Sequence, residues 1–124
     1  MLKLTSPSTI RYIMDKYGFR FSKSLGQNFL IDEGTVHRIV ANAEVGPEDV
    51  VLEIGPGIGV MTQVLASRAK KVVAVEIDAS LLPVLSETLE GLDNVTVVHG
   101  DILEVDVRAL IESHFGDQKP KVVA

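Results

Sequence analysis

The chain reads as an open α/β fold: a parallel sheet with helices on both faces. Three observations predict it. Short apolar runs recur at 50–54, 72–76 and 95–98, each suited to burial on both faces. Segments of helical period follow them, at 60–69, in a stretch ending near Leu89, and after Asp106. A glycine-rich turn, Gly55-Pro56-Gly57-Ile58-Gly59, joins the first of these strands to its helix. Strands alternating with helices imply parallel pairing through right-handed crossovers.

Each element has its own signals. Ser6-Pro7 reads as an N-cap and first helical residue. Ile10, Ile13, Met14 and Tyr17 then follow at i, i+3, i+4 and i+7, and Gly18 stops the helix. Phe19 to Phe29 is a polar, glycine-containing connector. Asp32 caps a second helix with Val36, Ile39, Val40 and Ala43 on one face, and Gly46-Pro47 breaks it. Pro83 would disrupt a helix interior. With Ser80 as N-cap it falls in the first turn, where backbone N–H groups lack helical partners anyway. After Asp106, Val107, Leu110, Ile111 and His114 are in helical register. Lys121-Val122-Val123-Ala124 opens a fourth apolar strand, so the sheet is expected to be truncated and one edge exposed to self-association.

Composition bounds the function. The 124 residues are the length of one domain, with 46% apolar and 23% charged residues. Cysteine is absent, which excludes disulfides, thiolate metal sites and cysteine nucleophiles and fits a reducing cytoplasm. Met1-Leu2-Lys3-Leu4-Thr5 has no apolar signal core, and no run approaches membrane-spanning length. A cytoplasmic location with no membrane partner is expected. The net charge is −5, unevenly spread. Residues 1–28 carry Lys3, Arg11, Lys16, Arg20 and Lys23 against Asp15, a net of +4, which leaves −9 for the remainder. A basic arm on an acidic body can contact phosphates while the body binds something else. The plainer reading is a solvated helix and tail. Interleaved Tyr12, Tyr17, Phe19 and Phe21 could stack on unpaired bases, although helical spacing makes Tyr17 a packing residue.

A strand, a glycine loop and a helix in that order make a site for an adenosine-type cofactor. Glycines let the chain turn sharply and let a ligand approach bare backbone. A dinucleotide fingerprint, G-x-G-x-x-G, would put its third glycine at position 60. That position is Val60, and the third glycine is Gly59. The G-x-G-x-G form led by Glu53 resembles the S-adenosylmethionine (SAM) loop of class I methyltransferases. Glu76 ends the second strand of the repeat and can accept both ribose hydroxyls; the bland alternative is a helix-capping surface carboxylate. Asp101 follows the third strand and can accept an adenine amino group, with Ile102 supplying backbone N–H or an apolar wall; the alternative is an Asx-type turn. His99 reads as structural, because no Ser/His/Asp or metal-spaced cluster surrounds it.

Four segments together resemble KsgA-type rRNA adenine dimethyltransferases: Ser24-Leu25-Gly26-Gln27-Asn28-Phe29-Leu30, Glu53 to Gly59, Glu76-Ile77-Asp78 and Gly100-Asp101. Erm-type 23S rRNA methyltransferases and mitochondrial transcription factor B proteins are relatives. The Gly-Pro-Gly form and Phe19-Arg20-Phe21-Ser22-Lys23-Ser24-Leu25 are more similar to the KsgA branch. The resemblance implies a Rossmann-like class I SAM-dependent methyltransferase fold. It also implies SAM-dependent N6,N6-dimethylation of two adjacent adenines near the 3′ end of small-subunit (16S) rRNA in ribosome biogenesis, with the immature 30S subunit as partner. It places Asn28, Leu30 and the Gly55 backbone at the methionine end of SAM, and Glu53 in support of the loop holding Gly57 and Gly59. Glu76 would lie on the ribose, and Ile77, Asp101 and Ile102 around the adenine. Arg20 and Lys23 are the expected RNA contacts. Residues 1–48 are then a basic helical arm with a cofactor-contacting segment, and 49–124 an incomplete SAM-binding domain. The family's catalytic Asn-Leu/Ile-Pro-Tyr/Phe motif, expected directly after the fourth strand, is absent from these residues, so the chain alone is expected to be inactive. An Erm-like enzyme, an NAD-binding domain and a noncatalytic RNA-binding or ribosome-assembly module stay open as alternatives.

Overall fold

The computed structural model describes residues 1–18 and 33–124. The expectations for Asp32, Asn28, Leu30, Arg20, Lys23 and the connector between Phe19 and Phe29 lie outside these residues.

Four parallel strands, β1 (Val50–Ile54), β2 (Lys71–Glu76), β3 (Val95–His99) and β4 (Lys121–Val123), form one sheet in the order β3-β2-β1-β4. Among the described residues, five α-helices surround it: α1 (Pro7–Tyr17), α2 (Glu33–Asn42), α3 (Val60–Arg68), α4 (Leu82–Thr88) and α5 (Val107–Phe115). The chain runs from β1 outward to β2 and β3, then returns to β4 on the other side of β1. That reversal is a topological switch point, where open α/β sheets form a crevice beyond the carboxyl ends of their strands.

The strands are largely apolar because both faces are covered. On one face Val51 and Val72 pack with Val40 of α2 and Leu65, Ala66 and Ala69 at α3, and Val95 and Val123 join them. On the other face Val50, Leu52, Val73 and Val75 meet Phe115, Leu110 and Ile111 of α5. The helices therefore lie on both sides of the sheet, as the alternating pattern predicts. β4 is held by its pairing with β1 and by Lys121, whose ammonium donates to the Ala43 and Glu44 carbonyls.

Local chemistry explains most helix ends. Pro7 occupies the first turn of α1, and Gly18 closes it in the left-handed region, donating to the Met14 carbonyl. Asp106 caps α5 by accepting from the Ala109 N–H. Two details differ from the sequence reading. The segment before α4 begins with a 3-10 turn, Ala79–Leu81, capped by Asp78 rather than Ser80. Asp78 accepts from both the backbone N–H and the hydroxyl of Ser80, so the serine is consumed as a donor. Pro83 still falls in the first turn of α4. On α2, Val36 and Val40 are buried but Ile39 is 42% exposed, because it sits on the flank of the apolar stripe.

Candidate functional site

The glycine turn leaves β1 at the crevice. Gly55, Gly57 and Gly59 have φ of +72°, +60° and +98°, values that L side chains rarely adopt. Gly55 donates to the Val75 carbonyl at 2.9 Å, Gly57 to Glu76 Oε1 at 3.2 Å and Gly59 to the Pro56 carbonyl at 2.9 Å. A Cβ built on Gly55 or Gly57 would meet nothing within 4 Å, so one side of the turn faces open space. Gly59 is different. Its Cβ would lie 3.1 Å from Leu89 Cδ2 and from Thr88 Oγ1, so α4 packs directly against the turn. Ile58 points inward and is buried with Ile10 and Ile13 of α1 and Val84 of α4.

Two carboxylates flank the turn. Glu53, near the end of β1, is 3% exposed and accepts from the Thr62 hydroxyl at 2.5 Å. Burial pushes its carboxyl up to about 7; the Thr62 bond opposes this and the nearby Glu76 charge adds to it. Glu76 ends β2, 4% exposed. It accepts from Gly57 N–H through one oxygen and from Asp78 N–H, at 2.9 Å, through the other. Each oxygen keeps lone-pair capacity for a further donor.

The rim is built by the next turns. Ile77 is 62% exposed beside Glu76. Asp101 Oδ1 accepts from the Leu103 N–H at 2.9 Å, an Asx turn that leaves the second oxygen for other donors. The Ile102 side chain packs toward the α5 face of the sheet. His99 pairs in register with Glu76, and its Nε2 lies 3.2 Å from the Ile77 carbonyl oxygen. The structure thus gathers Glu53, Gly55, Gly57, Gly59, Glu76, Ile77, Asp101 and Ile102 at the carboxyl ends of β1, β2 and β3. Among the described residues no group of three or more His, Cys, Asp or Glu side chains could hold a metal ion, and no helix is long and apolar enough to cross a membrane.

Two contributors escape the sequence. Thr62, fully buried in the first turn of α3, is one. Its position in the first turn of the expected helix, nine residues after Glu53, is a weak hint. The other is Glu87, which receives the Tyr12 hydroxyl at 2.7 Å, the Lys16 ammonium at 2.6 Å and the Tyr17 hydroxyl at 2.5 Å. These bonds hold Glu87 down to about 2 and push Lys16 up. They fasten α1 to α4, above the buried Ile58. The aromatic residues of the basic arm that are described, Tyr12 and Tyr17, serve this packing, with the Lys16 ammonium 5.5 Å from both ring centroids.

A family model described as Ribosomal RNA adenine dimethylase matches residues 18–124. The chain belongs to that family. It is 52% identical over 124 residues to Ribosomal RNA small subunit methyltransferase A of Alkaliphilus metalliredigens, covering all of this chain and 43% of that protein. The chain thus spans less than half the length of such curated relatives. Among solved structures, the 23S rRNA methyltransferase ErmE aligns with a TM-score of 0.57 and 33% identity, over 73% of this chain and 43% of that one. An RNA methyltransferase from Salinibacter ruber, solved with S-adenosyl-L-homocysteine, aligns with a TM-score of 0.55 and 26% identity, over 61% of this chain and 52% of that one. The fold is therefore the Rossmann-like fold of SAM-dependent methyltransferases, carried here by four strands.

Proposed function

We propose that this chain forms the SAM-binding part of a small-subunit rRNA adenine N6,N6-dimethyltransferase. The observation that carries the reading is the glycine turn, open on one side at Gly55 and Gly57 and flanked by Glu53 and Glu76. The cradle and the donor set fit the cofactor. Bare backbone can approach the ligand at the two glycines, and an acceptor-only carboxylate suits a ribose diol. When bound, SAM supplies an electrophilic methyl group.

The chain's own residues bind and orient. Glu76 takes the ribose hydroxyls while bracing Gly57. Asp101, through its second oxygen, and the Ile102 backbone read the adenine edge, and Ile77 covers the ring. Asn28 and Leu30 lie at the methionine end, and Arg20 and Lys23 contact RNA phosphates. Transfer to an amine needs placement more than a nucleophilic side chain, which suits a site without a catalytic dyad. The small-subunit substrate is favoured over a 23S substrate by the 52% identity to the small-subunit enzyme against 33% to ErmE. An immature 30S particle as partner, a cytoplasmic location and pairing of a second copy along an open sheet edge belong to the same proposal.

Calorimetry with S-adenosyl-L-homocysteine tests it. The wild type should bind, Gly57→Val should not, and Gly46→Ala, outside the turn, should bind normally. Glu76→Ala should weaken binding roughly thirtyfold or more, the scale for losing one partner of a buried charged hydrogen bond, and Asp101→Ala, at the more open rim, should weaken it by less. Equal binding by the wild type and Gly57→Val, or displacement of the ligand by NADH, would overturn the reading.

A further inference from the structure

We propose that Thr62 is a positioning residue for the cofactor turn, acting through the Glu53 carboxylate. The proposal rests on the SAM reading of the turn. Its geometry does not.

The turn has two stems, β1 and α3, and five residues between them. Glu53 stands on one stem and Thr62 on the other, and the hydroxyl donates across the gap at 2.5 Å. Both side chains are buried, Thr62 completely. A helical threonine commonly returns its hydroxyl to a carbonyl of its own helix. Here it is spent on the strand. The capping position of α3 is Gly59, which has no side chain to hold the first turn. The Thr62–Glu53 bond therefore ties the stems together where ordinary helix capping does not.

The tie also governs the carboxylate. Glu53 is removed from water, and Thr62 is its hydrogen-bond donor among the described residues. The titratable group facing it is Glu76 on β2, while its sheet neighbours are Ala74 and Val123. Thr62 thus supports the charged form against burial and against a second acid. Without the hydroxyl, the charge has no compensating donor among the described residues, and the carboxyl must take up a proton or turn toward solvent. Turning toward solvent pulls on the end of β1, from which Gly55 and Gly57 depart, and protonation removes the charged acceptor that ties Thr62 to it.

The test compares wild type, Thr62→Val and Thr62→Ser. Valine keeps the shape and removes the donor; serine keeps the donor. Two readouts are taken: the ligand-free titration of the Glu53 side-chain carboxyl by carbon-13 NMR, and S-adenosyl-L-homocysteine affinity by calorimetry from pH 6 to 9. Thr62→Val should move the Glu53 titration to higher pH and weaken binding at pH 8 by at least about tenfold, the scale of one hydrogen bond to a charged group. Thr62→Ser should restore both. An unchanged Glu53 titration in Thr62→Val, or equal loss of affinity in the valine and serine variants, would overturn the proposal. If Thr62→Val does not fold, Thr62→Ala against Thr62→Ser carries the same comparison. A wild type that fails to bind the ligand would overturn the SAM reading, while the NMR titration would still decide the role of Thr62.

Discussion

Replacing Glu53 by glutamine removes a buried charge and keeps the shape and the acceptor that faces Thr62. The consequence for stability depends on pH. In the fold the carboxyl is pushed from its ordinary 4.5 up to about 7, chiefly by burial. The folded protein therefore holds this proton more tightly than the unfolded chain does. The stabilisation is fully present below about pH 4.5, shrinks as pH rises, and is lost once pH passes about 7. A carboxyl moved that far corresponds to about 3 kcal/mol. Asp49, Asp78 and Glu87 are held below their ordinary values by hydrogen bonds, so their contributions are lost at lower pH and cancel between the two proteins. Urea unfolding at pH 5 and pH 8 isolates the effect. Between those values Glu53→Gln should gain most of about 3 kcal/mol relative to wild type. Stability differences that stay constant across this range would show that Glu53 is solvated or otherwise compensated, and would refute the reasoning.

Two further substitutions probe the surroundings of the turn. Gly57→Ala meets open space and should cost only the left-handed backbone penalty of about 1–2 kcal/mol, whereas Gly59→Ala adds close contact with Leu89 and Thr88 and should cost more. Equal losses in chemical denaturation would refute the packing of α4 against the turn. Glu87→Gln should lower the melting temperature and speed amide exchange in α1, since three α1 side chains converge on that carboxylate. In the wild type this anchoring is present above the ordinary carboxylate range and fades as pH falls toward about 2. Unaltered exchange in α1 would refute it.

What the sequence made legible was local. Val50–Leu52 and Val72–Val75 are continuous apolar runs because helices cover both sides of the sheet, and that signature survives without knowing which helices do so. Pro7 and Gly18 bracket α1 because their backbone constraints act within a few residues. The glycine spacing marks the turn for the same reason. Asp78 was harder to read, since two polar residues two positions apart compete for one cap and only geometry decides which oxygen is free to accept. Glu87 and Thr62 were illegible for another reason. Tyr12 and Glu87 are 75 positions apart in the chain, and Thr62 in isolation is an ordinary helical residue. Their partners are assigned only when elements pack.

The inward hydrogen bonds of the glycine turn have an electrostatic consequence. Loops that bind pyrophosphate do so by aiming unpaired N–H groups at the anion. In this turn the N–H groups of Gly55, Gly57 and Gly59 are already committed to Val75, Glu76 and Pro56. Glu76 beside them is an acid that accepts from Gly57 and contributes negative potential where a phosphate would need positive. A diphosphate brought to this crevice would lose hydration and meet like charge, while a ligand carrying a sulfonium cation would be attracted. In the role proposed for it, the turn selects by the sign of charge before shape is consulted, and so separates two classes of adenosine cofactor that share the same fold and the same taste for glycine.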